Sequence, residues 1–327
     1  MQIDTKLPSY IEKLIFNELN AKYEPDYSKF NKNLDLDNEK VKIYLGTYFP
    51  RSYAESYLIY TELLKNKAIK EKYKCKNEIN ILDIGSGSGG NLVGLLFALK
   101  ENLPQNLNIN IFTIDGNEES LKVLSKIIYK IQIKYNLNIA LRSQFISFDS
   151  INGLYKDTKG YLEESYDFIM SSKMINEIIK EDVKAYYDFC NCFSKHLSKD
   201  GFLSLIDVTI KTNFKYLPII LNDQVNKFVK YNNNFKTIVP TSCNFYEEKC
   251  NKECFTNNIF YISHKEKQND ISKITYRILT NSNFANDILS GIAVGGLVGK
   301  TKYENKYCHL VKENKNINAF KVSNEME

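Results

Sequence analysis

The sequence predicts an α/β fold: a doubly wound, mostly parallel sheet, with a helical N-terminal region ahead of it and a small C-terminal β or irregular subdomain behind it. Three observations carry this. Short apolar runs alternate with amphipathic stretches between residues 78 and 210. The first run ends in the glycine-rich "LDIGSGSGGN" (82–91), and the next three end on an aspartate or a pair of serines. The expected division is a helical cap over 1–77, a ligand-binding α/β domain over 78–210 and a cysteine-bearing subdomain over 211–327.

Residues 1–75 read as helical, because "LPSYIEKLIFNELN" and "PRSYAESYLIYTELLKNKAI" space their apolar residues by three and four. The polar "DYSKFNKNLDLDNEK" between them reads as a loop. "INILDIG" (79–85) is short, apolar and stopped by glycine, hence a buried strand, and "NLVGLLFALKENL" is the helix after it. "NINIFTIDG" (108–116) and "NEESLKVLSKIIYKIQIKY" repeat that pair. "LRSQFISFD" (141–149) and "YDFIMSS" (166–172) are the third and fourth strands. A helix around "EDVKAYYDFCNCFSKHL" leads to the fifth, "GFLSLIDVTI" (201–210). From about 211 the alternation breaks down, and "ISKITYRILTN", "GIAVGGLVGK" and "KYCHLVKENKNINAFKV" read as strands and turns.

Ligands of open α/β sheets bind beyond the carboxyl ends of the strands. The residues expected there are Asp83, Asp115, Asp149 and the pair Ser171–Ser172. Read as Gly85-x-Gly87-x-x-Gly90, the loop fits a dinucleotide fingerprint; read as Asp83-x-Gly85-x-Gly87-x-Gly89, it fits an adenosylmethionine loop. Charge decides between them. A pyrophosphate is held by bare amides at a helix N-terminus, and Asp83 would repel it. S-adenosylmethionine carries an ammonium and a sulfonium, which Asp83 attracts, while the glycine amides are free to meet its carboxylate. Asp115 is placed to take the ribose hydroxyls and Asp149 the adenine amine. Over about 78–210 the pattern resembles the Rossmann-like class I methyltransferases. The candidate cofactor-binding residues are Asp83, Gly85, Ser86, Gly87, Gly89, Asp115, Gly116, Asn117, Asp149 and Ser171.

Neither Asn/Asp-Pro-Pro-Tyr/Phe nor a Pro-Cys nucleophile follows the fourth strand. "SSKMINEII" (171–179) stands there instead, and Glu177 is the candidate general base. "VGGLVGKT" (294–301) lacks the first glycine of a phosphate loop, Val294 occupying its place.

Cys243-x6-Cys250-x3-Cys254 is followed by Cys308. Four thiolates can close a zinc or iron–sulfur site, and free cysteines also pack as small core residues. Cys190-x-Cys192 falls inside a predicted helix, where i and i+2 diverge, so core packing is its expected role. "YLGTYFPRSYAESYLIYTELL" (44–64), "YDFIMSSKMINEI" (166–178), "KITYRIL" and "YCHLVKENKNINAFKV" (307–322) resemble a methyltransferase-like family associated with the small ribosomal subunit in mitochondria and bacteria. That resemblance implies a [4Fe-4S] cluster on Cys243, Cys250, Cys254 and Cys308, with zinc as the alternative, and small-subunit ribosomal RNA as acceptor or partner. The usual Cys-Pro-His and Trp-Cys-His contexts are absent. A methyltransferase of a small molecule or protein, and a non-catalytic ribosome-assembly factor, are the other readings.

Composition bounds the rest. The 327 residues carry a net charge of +5, with 43% hydrophobic and 25% charged residues, as in ordinary soluble proteins. Residues 1–210 hold 27 basic and 28 acidic side chains, and 211–327 hold 17 and 11. The basic C-terminal third permits a polyanionic partner, although only Arg51, Arg142 and Arg277 offer the guanidinium suited to phosphate. No apolar run approaches the roughly 18 residues that cross a bilayer, and no basic-then-apolar leader opens the chain. A cytoplasmic protein without membrane contact is expected, in which seven cysteines do not argue for a disulfide framework.

Overall fold

The computed structural model describes residues 3–25, 36–104, 107–211, 216–239, 258–290, 294–297 and 311–313. In chain order the first elements are β1 (Ile3–Lys6), α1 (Ser9–Lys13) with a π-helical turn after it (Leu14–Glu18), α2 (Asn38–Leu64) and α3 (Lys67–Tyr73). Then follow β2 (Glu78–Ile84), α4 (Gly90–Asn102), β3 (Asn108–Asp115), α5 (Glu118–Tyr135), β4 (Asn138–Phe145) and α6 (Ile151–Thr158). Next are β5 (Tyr166–Ser172), α7 (Ile175–Ile178), α8 (Ala185–Phe193) and β6 (Leu197–Val208). α9 (Leu217–Tyr231), β7 (Phe235–Val239), β8 (Asn258–His264), β9 (Lys267–Asn281) and α10 (Ser282–Ser290) precede the short pair β10 (Val294–Leu297) and β11 (Val311–Glu313). The fold is mixed α/β and Rossmann-like, with mostly parallel strands joined by crossover helices. Among the described residues no helix is long and apolar enough to cross a membrane.

Two compact units divide the chain: Met1–Leu64, Tyr73–Phe148 and Ile259–Ser272 form the first, and Lys65–Lys72, Asp149–Asn258 and Lys273–Glu327 the second. In the first unit β2, β3 and β4 run parallel, Ile81 opposite Ile111 and Ile111 opposite Leu141. β2 and β3 read as apolar runs because both of their faces are covered: Ile79, Ile81, Leu82, Ile84, Ile109, Ile111, Phe112 and Ile114 are all buried. α5 turns Leu121, Leu124, Ile128 and Ile131 inward at helical spacing. Asn117 caps its start by accepting from Ser120 N, and left-handed Asn136 closes its end.

The N-terminal region differs from the helical expectation at two places. Ile3–Lys6 is a strand, pairing parallel with β8 (Ile3 opposite Phe260), a partner too distant in sequence for local patterning to reveal. α2 begins at Asn38, inside the predicted loop, because Asp37 Oδ1 accepts from the amides of Glu39 and Lys40. α2 lies backbone to backbone on α4. A Cβ at Gly94 would stand 2.5 Å from the Tyr53 carbonyl oxygen and one at Gly90 2.8 Å from that of Phe49, so only glycine permits this approach. The β8–β9 hairpin is fastened to the same helix. Arg51 donates from Nε and Nη2 to the two oxygens of Asp270, both at 2.8 Å, and Ser272 donates to Glu55.

In the second unit β5 and β6 are parallel, with Ser171 opposite Leu205. β9 runs antiparallel to β6 and β7 antiparallel to β9, giving the order β5–β6–β9–β7. α9 and α10 lie where the sequence reads as irregular. Pro218 opens α9 at a position where a missing amide costs nothing.

Candidate functional site

The site is built on the turn from β2 into α4. Gly85, Gly87 and Gly89 have φ of 75°, 51° and 87°. At Gly89, the residue that caps α4, a side chain would be strained by the left-handed backbone and would meet Leu124 at 3.0 Å. The turn folds its amides inward. Gly85 and Ser86 donate to the Ile114 carbonyl (2.8 and 3.4 Å), Gly87 to Asp115 Oδ2 (2.7 Å) and Gly89 to the Ser86 carbonyl (2.9 Å). A phosphate cradle needs amides that point at the ligand, and these four do not. The Gly85, Gly87 and Gly89 amides, expected to meet a ligand carboxylate, are bonded within the turn.

Asp115 ends β3 and organises the second loop. Its Oδ1 accepts from Asn117 N at 2.8 Å, while Asn117 Nδ2 donates to the Leu36 carbonyl at 3.1 Å. Burial pushes Asp115 up to about 6, against the pull of the Gly87 and Asn117 amides. Gly116 and Asn117 complete this turn into α5, both buried.

Asp83 is different. It is 1% exposed, and neither carboxylate oxygen has a hydrogen-bond partner. Burial, and then the nearby Asp115, push it up to about 8. Asp83 pairs with Thr113, so Asp115, two residues further on, lies on the same face of the sheet. Ser86 Oγ is likewise buried and without a partner. Tyr44 of α2 roofs the turn: a Cβ at Gly87 would lie 3.4 Å from its hydroxyl, and its ring leans on Tyr48 with centroids 4.9 Å apart.

These loop residues all belong to the first unit; Asp149, Ser171 and Glu177 belong to the second. Asp149 is exposed in a bend, not at a strand tip as predicted, because β4 ends at Phe145, the partner of the last residue of β3. Ser171 and Ser172 close β5, buried, with no partner for either hydroxyl. Lys173, just after them, has a φ of 56°, rare for a residue with a side chain. Glu177 is half-buried in the four-residue α7. Sequence reasoning missed Asp207, near the end of β6. It accepts from the Tyr186 hydroxyl (2.7 Å), Asn176 N (3.1 Å) and Val208 N (2.8 Å), and burial pushes it up to about 7. The signal was present in "GFLSLIDVTI", an acid ending an apolar run as Asp83 and Asp115 do. Tyr44 was missed because nothing local marks a helix residue that packs on a distant loop.

Cys243, Cys250, Cys254 and Cys308 lie outside the described residues. Among the described residues no group of His, Cys, Asp or Glu could hold a metal ion. Cys190 and Cys192 are buried in α8, and burial pushes the Cys190 thiol up, as for a core residue.

No family model and no curated protein matches the chain. Among solved structures it is similar to the plantazolicin methyltransferase BpumL in complex with SAH, at 14% identity over 84% of this chain and 98% of that one, TM-score 0.39. It is also similar to a SAM-dependent methyltransferase from Aquifex aeolicus, at 13% identity over 67% and 92%, TM-score 0.34. The YcgJ protein from Bacillus subtilis is a third, at 14% identity over 66% and 96%, TM-score 0.32. Superpositions this loose carry no argument about chemistry. The ligand has to be read from the loop itself.

Proposed function

We propose that this chain is an S-adenosylmethionine-dependent methyltransferase. The observation that carries the reading is Asp83, a buried carboxyl group without a partner at the mouth of a glycine turn whose Gly85, Ser86, Gly87 and Gly89 amides are already engaged. A buried polar group is ordinarily satisfied, and one that is not marks where a ligand completes the protein. The completing group must be cationic or a strong donor, which the ammonium and sulfonium of adenosylmethionine provide and a pyrophosphate does not. When bound, that cofactor supplies a methyl group already activated by positive sulfur. Asp83 holds the cationic end, Ser86 Oγ offers a hydrogen bond to the carboxylate, and the remaining lone pairs of Asp115 accept from ribose hydroxyls. Tyr44 and α2 cover the turn and keep water from it.

Calorimetric titration tests this. The protein binds adenosylmethionine and adenosylhomocysteine, and D83N weakens the donor by at least about thirtyfold, as expected when one partner of a buried charge pair is removed. Binding of NAD in place of both nucleosides would sink the reading.

The acceptor is a further step in the same proposal. Resemblance and the basic C-terminal third support small-subunit ribosomal RNA as acceptor or partner, with iron–sulfur or zinc on Cys243, Cys250, Cys254 and Cys308. Metal analysis after anaerobic purification, with RNA binding measured across a salt series, tests both. A metal-free protein indifferent to RNA returns the acceptor to a small molecule or protein.

A further inference from the structure

We propose that Asp83 makes donor binding a proton exchange: the donor enters as Asp83 gives a proton to solvent, and Asp83 takes one back once the methyl group has gone, while the demethylated product is still bound. The proposal rests on the methyltransferase reading and adds to it a means of telling donor from product, two molecules that differ by one methyl group and one positive charge.

The geometry supplies the argument. Asp83 and Asp115 share one face of the β2–β3 pair, two residues apart in register. Two carboxylates enclosed together do not both ionise without a cation between them. Asp115 has two amide donors, at 2.7 and 2.8 Å, whereas Asp83 has none. Asp115 therefore keeps the negative charge and Asp83 the proton, the direction in which burial and Asp115 both push it.

Among the described residues, no other element of the first unit brings Asp83 a counter-charge. α2 brings Tyr44 to the turn; its Lys40 and Lys42 pair with Asp37 and Glu39 at the surface, and its Arg51 is bound to Asp270. α4 carries no charged side chain before Lys100. α5 opens with Glu118 and Glu119, both paired with Lys122 at the surface.

A ligand with a net positive charge changes the balance. The Asp83 O–H bond breaks, the proton passes to water, and the carboxylate is left facing the cation. The product carries an ammonium and a carboxylate that cancel and a sulfur without charge, so Asp83 takes a proton from water before the product departs, and the product leaves a protonated Asp83 behind. Donor affinity then rises about tenfold per pH unit while Asp83 is protonated in the free protein, whereas product affinity stays nearly level.

The experiment is calorimetry on the full chain with adenosylmethionine and adenosylhomocysteine at pH 6 to 9, in buffers of different ionisation heat. Both ligands carry the same α-amino group, so its titration near pH 8 cancels in the difference. At pH 6.5 the donor is expected to release about one proton more than the product, and the difference vanishes in D83N. Equal proton release for the two ligands overturns this proposal and leaves the methyltransferase reading standing. Binding of neither ligand at any pH overturns that reading instead. The wild-type proton count decides the matter even where D83N does not fold.

Discussion

Asp83 sits at the end of an apolar strand, where its backbone is needed and its charge is not. Its consequence for stability follows from linkage. A carboxyl held up to about 8 keeps a proton in the native protein that the unfolded chain loses near pH 4. Between those values the native state binds more protons, so raising the pH weakens the ligand-free fold, by as much as about 1.4 kcal/mol per unit. Urea unfolding at pH 5 and pH 8 checks this: D83N should flatten the decline, and an equal decline in both proteins would refute it. The residue itself could be read from the sequence, because an acid directly after "INIL" has no core role. Its lack of a partner could not be, since the amides that might have served it turn to Ile114 and Asp115 instead. Asp207 escaped notice because its partners, Tyr186 and Asn176, come from other elements.

At the scale of elements, the contact of α2 with α4 sets the roof over the glycine turn. Ser56 donates to Asn91 across it at 3.1 Å, and Gly90 and Gly94 bring the backbones together. Gly94→Val must push α2 outward, since its Cβ would lie 2.5 Å from the Tyr53 carbonyl oxygen and 2.8 Å from the Tyr57 amide. A loss of about 1–3 kcal/mol is expected from such overpacking, together with weaker donor binding as Tyr44 leaves Gly87. Denaturant midpoints and calorimetry on one preparation measure both, and a variant as stable as wild type would show that the close approach is not needed. The alternation from β2 to α5 was legible because each element buries a face of its own. β1, β7, α9 and the start of α2 were not. The strands have partners far along the chain, Pro218 obscures a helix it in fact opens, and Asp37 caps α2 from within a polar stretch.

For the whole molecule, acids displaced in opposite directions bracket the pH of greatest stability. Burial alone would raise Asp270, but the His264 ring nitrogen 3.5 Å away and the Arg51 guanidinium hold it down at about 2. Its contribution is present above the ordinary carboxylate pKa and is lost as pH falls towards 2. Asp83, Asp115 and Asp207, all raised by burial, act on the other side, favouring the native state less as pH climbs from about 4 to 8. Scanning calorimetry of the ligand-free protein should place the highest Tm in mildly acidic buffer, and adenosylmethionine should move it towards neutral. A Tm that rises steadily to pH 8 without ligand would contradict this.

The bond from Arg51 to Asp270 joins residues 219 positions apart, and the ribosome delivers them in that order. At ordinary rates of synthesis the second partner emerges roughly 10 to 45 seconds after the first. Through that interval α2 carries a guanidinium without its carboxylate, and β1 lacks the strand it lies beside. The pairing edge of β1 and the guanidinium of α2 are completed only once the β8–β9 hairpin has been made, which leaves both within reach of chaperones until then.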